Sequence, residues 1–425
     1  MPEETKNHPR LTVIKGGKIS EQEFIRLSPD EKVEALRQQP ARKRLDFLLA
    51  DPEGQKLTAS LLPQELYWLI REIGEHDSLP LFDLVSPEQY SFMLDMELWD
   101  KWSLSTEKAM TWLQHLVESG EDSILRQVRH LEFELLLLLL KRQVEVAGGL
   151  GDLINDDQRL AEWDHTFDNI FYLTFLEPQN ARLIGSFLEA IYRNDHHLYL
   201  SIMTGIQAEL ESELEEVCWQ FRTGRLEQEG FPSLDEALTI YAWSDPDRFV
   251  LSGDKLLQPV EEENNTVPQP VPVGDLLLQR ALKRVNSPHL LLELNYLVNS
   301  ALVAEETAFD DKEGIELVCR RVYGYLNISL EYLAGFDEEK AASILTRERL
   351  ARLFRLGYSL AAGLHKRCEK CSSDNYAVNK VLLGLKSKRP SFYRGLDTDR
   401  ADGYREFRSM GDIRIIEEFL RTLEV

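Results

Sequence analysis

Cysteine is scarce. The four in 425 residues, Cys218, Cys319, Cys368 and Cys371, are too few and too unevenly spaced for a disulfide framework. Cys218 follows Leu214 and Val217, and Cys319 lies among Ile315, Val318 and Val322, so both read as small apolar core residues. Long apolar runs are lacking as well. The greasiest stretch, LEFELLLLLLK from Leu131 to Lys141, holds successive leucines from Leu135 to Leu140. As a helix those leucines rise roughly 9 Å, where a bilayer core asks for about 30 Å. Membrane insertion is not expected, and the charged opening MPEETKNHPR lacks the apolar region of a secretory signal, so the expected compartment is the cytoplasm. Positive charge is short too: 49 Lys and Arg against 73 Asp and Glu leave a net charge of −24. Such a field repels phosphate backbones and anionic lipid surfaces, and nucleic acid is not an expected partner.

The signatures of common chemistries are also missing. There is no Gly-x-x-x-x-Gly-Lys-Ser/Thr and no Gly-x-Ser-x-Gly, and GGLG at Gly148 follows a helical pattern where a dinucleotide fingerprint follows a strand. No catalytic residue and no cofactor is assigned.

What is present is punctuation. Pro29, Pro40, Pro52, Pro63 and Pro87 recur at 11 or 12 residues, with one doubled gap of 24. Proline suits the first turn of a helix, and Ser28-Pro29-Asp30-Glu31, Asp51-Pro52-Glu53 and Ser86-Pro87-Glu88 each place a capping oxygen before it and carboxylates after it. Between the prolines, apolar residues recur at three and four: Val33, Leu36; Leu45, Leu48, Leu49; Leu66, Leu69, Ile70, Ile73. The pattern predicts short helices that bury their faces only by stacking, as in a superhelix. One longer helix is expected from about Ser123 to Val146, its leucines wrapped by neighbours as a central post.

AGGLGDLINDD, Ala147 to Asp157, then marks a boundary, and TFDNIFYLTFL, Thr166 to Leu176, is the strand or hairpin candidate. LLQPVEEENNTVPQPVPVGD, Leu256 to Asp275, reads as a linker. The expectation is an all-α chain with a disordered tail over 1–20, a superhelix over 21–147, and a middle α domain with a hairpin over 158–251. A Pro/Glu-rich linker over 252–275 and a helical domain over 276–425 complete it.

The stretch LSPDEKVEALRQQPARKRLDFLLADPEGQKLTASLLPQELYWLIREI resembles the intracellular superhelical N domain of MgtE-type magnesium transporters, with FliG-like helical repeats. ELEEVCWQFRTGRLEQEGFPSLDEALTIY and RPSFYRGLDTDRADGYREFRS look like an uncharacterised family of bacterial cytoplasmic proteins. The first resemblance implies a stacked-helix fold, without the membrane helices of the transporters.

Few residues suggest a site. His365, Cys368 and Cys371 come nearest to a metal set, but spread over about 120° of a helix they read better as part of the Leu353, Leu360, Leu364 face, and no metal is assigned. Asp195-His196-His197 reads as a helix start, and Glu209, Glu211, Glu213, Glu215 and Glu216 as a solvated face. FYRGLDTDRADGYREFR, Phe392 to Arg408, is the most distinctive loop. Its Asp-x-Asp-x-x-Asp-Gly approaches a calcium loop, but Arg408 stands where a closing glutamate belongs. Tyr393, Arg394, Asp397, Asp399, Asp402, Arg405 and Arg408 could form an internal ion-pair clasp or grip a carboxylate or phosphate group. The expected function is a non-enzymatic scaffold or interaction protein that holds another protein or a second copy of itself. An enzyme or anion-binding protein using this loop, and a magnesium sensor working through the acidic surface, are the alternatives.

Overall fold

The computed structural model describes residues 19–74, 76–100, 103–149, 163–253, 255, 275–309, 311–369, 371–398 and 400–423. The described residues include twenty α-helices, several short 3-10 helices and three two-stranded antiparallel sheets, so the chain is mostly α. It opens with α1 (Glu21–Ile25), α2 (Pro29–Arg37), α3 (Ala41–Ala50), α4 (Gly54–Ala59), α5 (Pro63–Ile73) and α6 (Pro87–Glu97). Pro29, Pro63 and Pro87 each occupy the first helical position, and Pro40 is the N-cap of α3. Ser28 and Ser86 close capping boxes with Glu31 and Gln89, which satisfies backbone N–H groups that the first turn leaves over. Val33, Leu36, Leu45, Leu48, Leu66, Leu69 and Ile70 are buried between the rungs, while Leu49 turns outward. The doubled proline gap is filled differently from the other rungs. His76–Asp83 is a 3-10 helix with Pro80 inside it, because a proline there removes a donor and blocks α-helical continuation.

Next come a small hairpin, β1 (Trp99–Asp100) and β2 (Ser103–Leu104), then α7 (Thr106–Glu118), α8 (Glu121–Val128) and α9 (Phe133–Lys141). The single helix expected from Ser123 to Val146 does not form. It breaks at Arg129–Glu132, where Arg129 reaches Asp195 at 3.1 Å and Glu132 pairs with Arg225, and its last part becomes β3 (Val144–Gly148). That strand pairs antiparallel with β4 (Phe171–Phe175) from Val144↔Phe175 to Gly148↔Phe171, so the TFDNIFYLTFL segment does supply a hairpin arm. The leucines are wrapped as expected: Leu135, Leu136, Leu137, Leu138 and Leu140 are buried. They lie against α11 (His196–Ala208) and α12 (Glu211–Gln228), which follow α10 (Ala181–Asn194). Leu137 sits so close to α11 that a Cβ at Gly205 would come within 2.6 Å of it.

Of the remaining elements, α13 (Leu234–Leu238) precedes the expected linker, which lies outside the described residues except for Ser252, Gly253, Lys255 and Asp275. The tail expected over 1–20 is outside them too, apart from Ile19 and Ser20. Beyond the linker stand α14 (Leu277–Val285), α15 (Pro288–Ala304), α16 (Lys312–Ala334), α17 (Glu338–Arg347), α18 (Leu350–Cys368) and α19 (Tyr376–Leu385). A last hairpin, β5 (Phe392–Tyr393) and β6 (Tyr404–Arg405), leads into α20 (Met410–Leu423).

Two apolar cores result, one drawn from Phe24 to Phe231 and one from Ile240 to Leu420. The boundary read at residues 147–157 therefore divides a single core, since β3 and β4 pair across it. The cores meet at a seam. Gln64 donates to Asn299 at 3.3 Å, Tyr67 to the Phe309 carbonyl at 2.9 Å, and the rings of Phe231 and Phe309 lie edge to face at 5.2 Å.

Candidate functional site

The hairpin β5–β6 carries the distinctive loop onto the N-terminal end of α20, and one guanidinium organises it. Arg405 sits at the end of β6 with its guanidinium carbon 4.0 Å from the Phe392 ring centroid. Its Nε and Nη2 donate to Asp397 at 2.7 Å each, its Nη1 and Nη2 to Asp412 at 2.8 Å each, and its Nη1 also to the Glu406 carbonyl at 3.0 Å. All five N–H groups thus have acceptors, a fork geometry that only arginine offers. Burial pulls the Arg405 pKa down, but the two carboxylates more than reverse this and raise it. The hydrogen bonds from Arg405 likewise hold the Asp397 carboxyl below its ordinary value, against the opposing push of burial. Asp412, buried in the first turn of α20, also accepts the Arg408 backbone N–H at 2.9 Å.

Behind this clasp lies a second, deeper network. Arg321 of α16 is buried and forks onto Glu406 at 2.7 and 2.9 Å, and it pairs as well with Glu305, whose side chain is 5% exposed. Glu305 in turn accepts from the Tyr241 hydroxyl and lies 3.4 Å from Arg389, so two carboxylates face two guanidinium groups. A buried charge is tolerable only with such partners. Through the adjacent Arg405 and Glu406, the clasp is tied to the second core.

In front of the clasp opens a cleft of about 450 Å³, lined by Leu317, Arg320, Arg394, Asp397, Thr398, Tyr404, Arg405, Glu406 and Arg408. Among the described residues four guanidinium groups and two carboxylates line it; Glu406 is matched by Arg321 from behind, and Arg405 by Asp412. The Arg408 side chain is 57% exposed and stands 3.5 Å from Asp397; that of Arg320 is 62% exposed and pairs along its own helix with Glu316. Among the described lining residues guanidinium groups thus outnumber carboxylates, in a chain whose net charge is −24.

A family model described as a family of unknown function, DUF6178, matches residues 21–425. The chain belongs to this family. No curated protein and no solved structure matches it.

In this DUF6178 chain the loop residues divide. Arg394, Asp397, Arg405 and Arg408 line the cleft, whereas Tyr393 and Asp402 turn to Lys380, whose Nζ lies 2.6 Å from Asp402. Asp399 lies outside the described residues. At the end of α18, the Cys368 thiol faces the carbonyl of His365 and Cys371 that of Arg367, while His365 Nδ1 is 2.8 Å from the Leu385 carbonyl. Burial raises the Cys368 pKa, and no group of three or more potential ligands among the described residues could hold a metal ion. Asp195 caps α11 by accepting from the Leu198 N–H, and Glu215 takes Arg142 at 2.8 Å together with the Ser103 hydroxyl and the Leu104 N–H. Sequence reasoning missed Leu317, Arg320, Thr398, Tyr404 and Glu406 in the cleft, and Arg321, Glu305, Arg389 and Asp412 behind it. One signal was available: Arg321 falls between Val318 and Val322 on an apolar helical face, where a charge needs a partner.

Proposed function

We propose that this chain is a non-enzymatic binding protein whose arginine cleft holds an anionic group, a carboxylate or a phosphate, carried by its partner. The observation behind the reading is the make-up of the cleft: among the described residues four guanidinium groups line it against two carboxylates, with Glu406 shared with Arg321, Arg405 with Asp412 and Arg320 with Glu316. Arg405 and Asp397, the pair an enzyme would want uncommitted, are spent on each other and on Asp412, so they position the loop rather than react. Planar guanidinium groups suit oxyanions, and each charge-assisted contact is worth about 1.5–3 kcal/mol.

The superhelical reading of residues 21–147, with its likeness to the MgtE N domain, is carried here as a proposal about architecture, supported by the helices that start on prolines. Its α5 face already meets the second core through Gln64 and Tyr67, which favours the cleft as the place for a partner. Among the described residues no helix is long and apolar enough to cross a membrane. All four cysteines are free thiols, which supports a cytoplasmic setting.

Calorimetric titration with inorganic phosphate tests the reading. Saturable binding is expected, weakened about tenfold to a hundredfold in Arg394→Ala/Arg408→Ala. No saturable binding of inorganic phosphate or of a phosphate ester, or equal binding by the variant, removes it.

A further inference from the structure

We infer that the cleft takes an aromatic oxyanion, a ring bearing a phosphate or carboxylate, in preference to a bare inorganic anion. The inference rests on the anion-binding reading above and adds the body of the ligand to its head. A tetrahedral oxyanion displaces roughly the volume of a few waters, each about 30 Å³, which leaves most of a 450 Å³ cleft unfilled. Clefts of this size suit organic ligands, with a few polar groups fixing orientation and apolar walls supplying the area.

The walls are present. Leu317 and Arg320 lie three residues apart on α16 and share a face, so an apolar side chain stands beside a cation at the same rim. Leu317 is 42% exposed and Tyr404 41% exposed, although both are large and apolar and belong to well-formed elements. Tyr404 is also pinned. Its hydroxyl donates to the Lys380 carbonyl at 2.9 Å, and its ring lies so close to Gly384 that a Cβ there would meet it at 2.7 Å. An aromatic side chain held in place costs little entropy when a second ring settles on it. Tyr404 on β6 and Leu317 on α16 thus offer an apolar seat in a lining that also holds Arg320, Arg394 and Arg408. Guanidinium planes add to that seat, since they stack on rings as well as bind oxyanions.

The shared chemistry could come from a tyrosine-type phosphate or from a mononucleotide, and titration with phenyl phosphate, adenosine 5′-monophosphate and inorganic phosphate separates the cases. At least one ring-bearing probe is expected to bind about tenfold or more tighter than inorganic phosphate. Whichever does so identifies the source. Leu317→Ser and Tyr404→Leu should each erase most of that gain, read as the ratio of ring-bearing-probe to inorganic-phosphate affinity in the same variant. Because Leu317 is exposed, its variant keeps the test valid even if the Tyr404 variant fails to fold. Equal binding of all three probes, or a ring preference untouched by Leu317→Ser, overturns the inference and leaves the anion-binding reading standing. Failure of every probe to bind overturns both.

Discussion

Arg321 and Asp397 illustrate how single side chains hold the site in place. Arg321 matches Glu305 and Glu406 at the edge of the second core, where the two carboxylate side chains are only 5% and 7% exposed. Arg321→Met should therefore cost about 3–5 kcal/mol, read as a fall in the urea midpoint, because Glu406 loses its guanidinium partner and Glu305 keeps only Arg389 and the Tyr241 hydroxyl. Asp397 gives a pH signature. Its carboxyl is held below the ordinary value of 3.8, so the folded state binds fewer protons than the unfolded chain as pH falls through that value. Its contribution is complete above 3.8 and disappears as the folded-state pKa is passed on acidification. The stability difference between the wild type and Asp397→Asn should accordingly be flat from about pH 7 to 5 and shrink below about pH 4. Half of this site was legible from sequence. The alternation of arginine and aspartate from Arg394 to Arg408 is local and visible, whereas Arg321 and Glu305 lie far away in the chain and meet the loop only when α16 comes to rest on the hairpin.

At the scale of elements, legibility follows the range of the cause. Proline starts and serine caps act within four residues, so α2, α5 and α6 could be read directly. At the break between α8 and α9 the partners are Asp195 and Arg225, and Val144–Gly148 pairs with β4, none of which a local window contains. Helix crossings are set the same way. At the crossing of α16 and α18, a Cβ at Gly357 would stand 1.9 Å from the Tyr325 carbonyl oxygen, and that backbone cannot move aside alone. Gly357→Ala gains about 1 kcal/mol of helix propensity but forces an overpacked contact of about 1–3 kcal/mol or more. With backbone as the obstacle, the steric loss should win, and thermal melting should show a lower midpoint for Gly357→Ala. A higher midpoint would mean the two helices are spaced more widely than described.

For the whole molecule, the −24 charge and the arginine cleft act on an anion with opposite signs and at different ranges. A 425-residue chain folded compactly has a radius of gyration of about 22 Å. At 0.01 M salt the screening length is about 30 Å, so an approaching anion senses the whole negative charge; at 0.15 M it is about 8 Å, and only the cleft is felt. Added salt should therefore raise the association rate constant of a fluorescent aryl phosphate several-fold between about 0.01 and 0.15 M, the reverse of the usual behaviour of oppositely charged pairs. The dissociation rate should rise too, because the contacts with Arg394 and Arg408 are themselves weakened by screening. Stopped-flow measurement separates the two rates. An association rate that instead falls steadily with salt would show that the field at the cleft mouth is already positive at long range, and that the acidic surface lies too far from it to matter.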